Sequence, residues 1–217
     1  MAERKLDFDR EVALQQVPAG VRSAFKALWD IDLAFADVVA TSTDPNLGAI
    51  RLAWWRERLE ELDLGRVVPV EPRLQAVASD LLPRGITGGD LSGLEDAWLP
   101  LLQPLPWGDQ QVDGLKLRGR ILFGIGARLL GARPSDAETA GELWSLADGA
   151  DHCSDSDTRK MVLREAAALA PSRAPTAVRP LTMLAALAAH DLRIRGGQMR
   201  RGLTALRHRY RGTFPRG

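Results

Sequence analysis

Two stretches decide the fold class: Ala27-Leu28-Trp29-Asp30-Ile31-Asp32-Leu33-Ala34, and Asp44-Pro45-Asn46-Leu47-Gly48-Ala49-Ile50-Arg51-Leu52-Ala53-Trp54-Trp55-Arg56-Glu57. Around the first, Val21, Phe25, Leu28, Phe35 and Val39 recur at helical spacing, which predicts a helix from Pro18 to about Thr41. In the second, Asp44-Pro45 offers an N-cap and a first-turn proline for a helix reaching about Leu64. Working outward, the same signals recur. Helices are predicted over about 72–82, 90–103 and 110–130, the last closed by Gly131. Ser135-x-x-Glu138 reads as a capping box for a helix reaching Asp151. Ser154 caps another to about Ala170, Pro180 opens one to about Arg195, and an amphipathic segment spans 198–210. Pro83-Arg84-Gly85, Gly88-Gly89, Pro104, Pro106 and Gly108 break the chain between them. Only the 65–72 loop, with its alternating Val and Pro, leaves room for a strand. About eight helices with short connections imply an all-α bundle, one domain over residues 1–217.

Composition agrees. Hydrophobic residues make up 45% of the 217 residues and charged residues 26%, enough apolar surface for a packed core. Charges interrupt every apolar run before the roughly 18–20 residues that a membrane span needs. The opening Met1-Ala2-Glu3-Arg4-Lys5-Leu6-Asp7 lacks a secretory apolar block. The single cysteine, Cys153, cannot form an internal disulfide, so a cytoplasmic setting is expected. One Cys and three scattered His make no zinc cluster.

The net charge of +1 hides an asymmetry. Residues 191–217 hold eight arginines against Asp191 alone, a charge of +7, which leaves −6 for residues 1–190. A basic tail on an acidic body points to an anionic partner, a phospholipid surface before a nucleic acid, or else to a solvated terminus. Within 198–210, Met199, Leu203, Leu206 and Tyr210 share one helical face and arginines surround the remainder. That pattern suits a helix lying on an anionic membrane, and equally one that docks its apolar face on the bundle. Nucleic acid is not expected, because no recognition motif accompanies the charge.

Helical wheels single out polar residues on apolar faces. Asp32 sits at the centre of the first helix's stripe, among Leu28, Trp29, Phe35 and Ala36, whereas Asp30 and Asp37 lie opposite. In the second helix Leu47, Ile50, Trp54, Trp55, Leu59 and Leu62 form the apolar set, with Arg51 and Arg58 in its middle. Unpaired charges on such faces cost several kcal/mol, so an Asp32–Arg51 pair is expected. It either fixes helix register or lines a cavity, with Arg51 toward an anionic head group and Asp32 toward a cation. Asp148, Asp151, His152 and Asp155 fall at i, i+3, i+4 and i+7, a spacing that can chelate Mg²⁺ or form a solvated helix end. Lys116, Arg118 and Arg120 add positive charge beside Gly119 and Gly124, glycines that allow close helix approach. Neither a phosphate-cradling glycine loop, a G-x-S-x-G elbow nor an H-E-x-x-H helix is present.

The string Pro45-x-x-Gly48-x-x-Arg51-Leu52-x-Trp54-Trp55-Arg56-Glu57, with 27–34 before it, resembles the squalene/phytoene synthase family. The likeness is to its short divergent branch, which includes relatives of complex I assembly factors, and it covers about residues 20–64. It implies an isoprenoid-synthase-like helical bundle around a central cavity. Active members condense two prenyl diphosphates there, with Mg²⁺ held by two aspartate-rich helices. Where the first of those motifs has paired aspartates, this chain has Leu33 and Ala34, and Asp37 alone falls at the motif's last position. Asp148, Asp151 or Asp155 would stand for the second. The resemblance therefore implies a non-catalytic binder of a prenyl or other apolar ligand, or an assembly protein for a membrane complex with a protein client, peripheral at the inner membrane. Its alternative is a working prenyltransferase of terpenoid, carotenoid or hopanoid biosynthesis, with Asp37, Asp148 and Asp151 as metal ligands and Mg²⁺ as cofactor. Asp32, Arg51, Trp54, Arg58, Lys116 and Arg120 would line the cavity.

Overall fold

A computed structural model describes residues 6–193 and 198–215, with the side chain of Gln198 outside the description. The expected helix end at Arg195 and the tail arginines 195 and 216 lie outside the described residues, as do Met1 to Lys5. The described residues form helices joined by loops, without a strand, and the expected loop over 65–72 ends at Glu71, because Pro72 already opens a helix. They form eleven α-helices rather than about eight. Two of them are additional to the nine segments expected from sequence: an N-terminal helix before Pro18, and one made by a break at Gly93 that divides the segment expected over 90–103. The chain is organised as two compact units, Met1–Pro104 and Leu105–Gly217.

In the first unit, α1 (Phe8–Gln16) is capped by Asp7, whose carboxylate accepts the Arg10 N–H. α2 (Arg22–Thr41) is the unit's centre. Twelve of its twenty residues are buried, Leu33 and Ala34 among them. Apolar side chains on nearly every side let α1, α3 (Pro45–Asp63), α4 (Pro72–Ala76) and α6 (Leu94–Trp98) pack around it. Each buried Leu, Ile or Phe contributes on the order of 1.5–3 kcal/mol. α4 continues through a π turn and a 3₁₀ turn to Arg84. α5 (Gly88–Ser92) presses its first residue on α3. A Cβ at Gly88 would lie 1.8 Å from the Leu59 carbonyl oxygen. The Asp63 carboxylate accepts the N–H groups of Gly88 and Gly89 at 2.7 and 2.8 Å, satisfying donors that a helix start leaves open.

The second unit holds α7 (Asp109–Leu129), α8 (Glu138–Asp151), α9 (Ser156–Ala168), α10 (Arg179–Arg193) and α11 (Gln198–Arg211). Gly131, at φ +70°, closes α7 as its sequence position implies, and the Ala132 N–H returns to the Ala127 carbonyl. α7 and α8 cross backbone to backbone at Gly119 and Gly141. A Cβ on either would lie 2.2 Å from the other's carbonyl oxygen. Gly119 thus serves the close approach expected of it, whereas a Cβ at Gly124 would meet the Pro134 and Glu138 side chains at ordinary contact distance.

Two caps differ from expectation. Ser135 does not cap α8; a 3₁₀ turn over Pro134–Asp136 intervenes, and the Asp136 carboxylate takes the Arg133 N–H. Asp155 rather than Ser154 caps α9, accepting the Thr158 N–H at 2.7 Å. A carboxylate competes well with a hydroxyl at this position, and its charge favours the helix N-terminus.

Candidate functional site

The carboxylates and cations singled out from sequence are all present, but they are committed to other partners than those expected. Asp32 is fully buried, as its place at the stripe's centre required. Its partner is not Arg51. Trp98 donates its indole N–H to Asp32 at 3.1 Å, and the Arg10 guanidinium lies 3.7 Å away. Arg10 is itself 4% exposed, bridges to Asp7 and stands over the Trp29 ring at 5.7 Å. Arg51 instead turns outward and donates to the Thr41 and Ser42 hydroxyls at 3.1 and 3.3 Å.

The face of α3 explains the correction. Its buried residues are Gly48, Leu52, Trp55, Leu59 and Leu62, whereas Leu47, Ile50 and Trp54 are exposed. Apolar residues run nearly around this helix, so two stripes compete. The one containing Gly48, which admits Leu102 at close range, is the one that packs. Arg51 and Arg58 belong to the outward stripe. Arg58 is half-buried and pairs with Glu61 at 3.0 Å. Trp54 stands edge-on against Trp55, the ring centroids 5.1 Å apart.

The residues proposed as metal ligands are neutralised one by one. In the first unit Asp37 accepts from Arg73 at 3.1 Å. In the second, Asp148 meets Arg118 at 2.7 Å, and Arg118 is 2% exposed, lying over the Trp144 ring at 4.8 Å. Asp151 points outward to Arg159 at 2.9 Å. The helix ends at Asp151, so His152 and Asp155 leave the shared face that a continuous helix would have given them. The His152 ring bonds the Asp148 backbone carbonyl, and bonds from Thr158 hold Asp155 below the usual carboxylate range. Among the described residues no three His, Cys, Asp or Glu side chains gather as a metal-holding group. Lys116 and Arg120 are likewise paired, with Glu165 at 2.8 Å and Glu142 at 2.6 Å.

The arrangement with the clearest outward chemistry is α11. Its C-terminal carbonyls are tied down. Arg179 donates to the Tyr210 carbonyl at 2.8 Å, Arg173 to that of Arg211 at 2.6 Å, and Ala174 to that of Gly212 at 2.8 Å. His208 and Thr204 face α10. The His208 ring is fully buried, with Nε2 2.9 Å from the Thr182 hydroxyl and Nδ1 donating to the Thr213 carbonyl. His190 meets the Thr204 hydroxyl at 2.9 Å. The helix therefore docks by its polar side.

Its apolar residues point away from the protein: Met199 is 84% exposed, Leu203 59%, Leu206 53% and Tyr210 70%. At 100° per residue these four fall within an arc of roughly 60°, with Arg200, Arg207 and Arg211 along one flank and Arg209 on the other. The apolar face of α11 is therefore not the one that packs in the second unit. No helix among the described residues is long and apolar enough to cross a membrane.

Compared with family models, curated protein sequences and solved structures, the chain matches none.

Proposed function

We propose that the chain is a non-catalytic, squalene/phytoene synthase-like protein that works on an anionic membrane surface, peripheral to the inner membrane. There its isoprenoid-synthase-like bundle holds a prenyl or other apolar ligand, or a protein client of membrane-complex assembly. The observation that carries the membrane reading is the outward stripe Met199, Leu203, Leu206 and Tyr210 with arginines on both flanks. Such a helix buries its apolar arc at the head-group boundary, and each flanking arginine adds on the order of 1 kcal/mol against anionic lipid. The non-catalytic part is supported by the pairing of Asp37, Asp148 and Asp151 with Arg73, Arg118 and Arg159. A carboxylate held by a guanidinium is a poorer ligand for Mg²⁺, and Leu33 and Ala34 are interior residues without oxygen donors.

Vesicle co-sedimentation tests it. The intact protein should bind vesicles containing anionic phospholipid, release them as salt is raised, and ignore vesicles of neutral lipid. Leu203→Ser combined with Leu206→Ser should abolish binding without loss of helix content, since both side chains are solvent-facing. An intact protein that ignores anionic vesicles at low salt sinks the membrane reading.

A further inference from the structure

The second unit contains a groove of about 700 Å³, bounded by the segment after α9, the end of α10, α11 and the segment that follows it. Part of its wall is apolar, from Pro171, Phe214 and Pro215, and its charge comes from Arg173, Arg193 and Arg207. No carboxylate lines it among the described residues. Acid is scarce throughout this region: from residue 166 to 217 there are ten arginines and a single acidic residue, Asp191. That carboxylate is taken by Arg201, whose Nε stands 3.1 and 3.0 Å from its two oxygens.

The three arginines have different roles. Arg193 is a builder: its guanidinium donates to the Pro215 carbonyl at 2.7 Å, and to those of Ala167 and Leu169 at 3.0 and 2.7 Å, which holds the groove's walls together. Arg173 commits Nε to the Arg211 carbonyl, and its two terminal amino groups have no partner among the described residues. Arg207 is exposed and has neither an acceptor nor an acid among them. Both guanidinium groups line the same groove with no carboxylate beside them among the described residues. An anion in the groove can take donors from both, and phosphate matches the planar fork of arginine.

We propose that this groove holds the phosphate group of an anionic amphiphile, with Arg173 and Arg207 binding its oxygens and Phe214 and the two prolines covering the adjoining apolar part. Because α11 forms one wall, an anionic phospholipid is the source. That source rests on the membrane reading above, whereas recognition of phosphate does not.

The test titrates the full chain with monomeric dihexanoyl phosphatidate, inorganic phosphate and dihexanoyl phosphatidylcholine, followed by calorimetry and by the arginine Nε–H resonances. Phosphatidate should saturate the protein and shift Arg173 and Arg207, and inorganic phosphate should bind more weakly. Arg173→Gln with Arg207→Gln should weaken phosphatidate by at least about tenfold, as expected for loss of two charge-assisted contacts. If that pair lowers the melting temperature, Arg207→Gln alone serves, because its side chain holds nothing in place. The Leu203→Ser, Leu206→Ser protein should keep its affinity for soluble phosphatidate while losing vesicles, so failure of the groove and failure of the membrane reading are seen separately. Equal binding of inorganic phosphate or of the choline lipid, or unchanged affinity in the arginine variants, overturns the proposal.

Discussion

Trp98 donates its indole N–H to Asp32 across 3.1 Å in the interior of the first unit, joining residues 66 positions apart in sequence. Asp32 is fully buried and Arg10 stands beside it at 3.7 Å. The carboxylate therefore ties α1, α2 and α6 together through one side chain. Removing the carboxylate takes an acceptor from the buried Trp98 indole and a buried counter-charge from Arg10, which keeps its bridge to Asp7, and losses of this kind in an interior are strongly destabilising.

Asp32→Ala should accordingly cost about 3–5 kcal/mol, and Trp98→Phe about 1–3 kcal/mol for the lost donor. Arg51→Ala should change stability by less than about 0.5 kcal/mol, since its side chain is in solvent. Urea titrations of the three variants, with unchanged slopes, check the ranking. A loss at Arg51 as large as that at Asp32 would contradict the pairing described.

Gly119→Ala and Gly141→Ala should each destabilise by at least about 1–3 kcal/mol, the usual range for overpacking, because the new methyl meets backbone that cannot rotate away. Gly20→Ala, with open space around it, should be near neutral. Thermal melts of the three proteins distinguish steric crossing from a general intolerance of alanine.

Asp148 and Asp151 should separate from each other. Asp148→Ala leaves Arg118 buried beside Trp144 without its anion and should cost about 3–5 kcal/mol. Asp151→Ala breaks only an exposed pair and should fall within about 0.5 kcal/mol. Incubation of the unaltered protein with farnesyl or geranylgeranyl diphosphate and Mg²⁺ should release no diphosphate. Release that depends on Mg²⁺ and disappears in the Asp151→Ala protein would establish the prenyltransferase alternative.

Burial at the α10–α11 seam lowers the pKa of His208, with Arg179 adding to that direction and the bond to the Thr213 carbonyl opposing it. The unfolded chain then binds more protons than the folded one below the ordinary histidine value of about 6.5. Stability is complete above that pH and falls as the pH drops through it toward the folded value, with a slope no steeper than about 1.4 kcal/mol per pH unit for one proton. His208→Gln should flatten this part of the profile between pH 7.5 and 5.5 in denaturant titrations. An unchanged slope would assign the pH dependence to another group.

Sequence periodicity located α2, α3 and α7, and the start of α10, to within a few residues because the chain carries its own stops and starts: Asp44-Pro45 before α3, Gly131 after α7. Asp32 was legible as a buried carboxylate for the same reason. Its partner was not, because Arg10 belongs to α1, a nine-residue helix whose short apolar pattern is easily passed over beside longer ones. The burial of α3 was misread at Leu47, Ile50 and Trp54 because the choice between two apolar stripes is made by a neighbour, Leu102, far away in sequence. The outward turn of α11 was equally hidden. Its periodicity gives the arc but not its direction, which follows from His208 and Thr204 finding partners on α10. The groove could not be read at all, since Arg173 and Arg207 are brought to it by the path of the backbone.

The backbone crossing at Gly119 and Gly141 also bears on ancestry. Charged residues in this chain can be exchanged in compensating pairs over generations, as an acid and its arginine drift together. A position where any side chain would strike a carbonyl has no such freedom. Two glycines twenty-two residues apart on consecutive helices, rather than any spacing of aspartates, are therefore the mark by which homologues of the second unit should be recognised after most of their sequence has diverged.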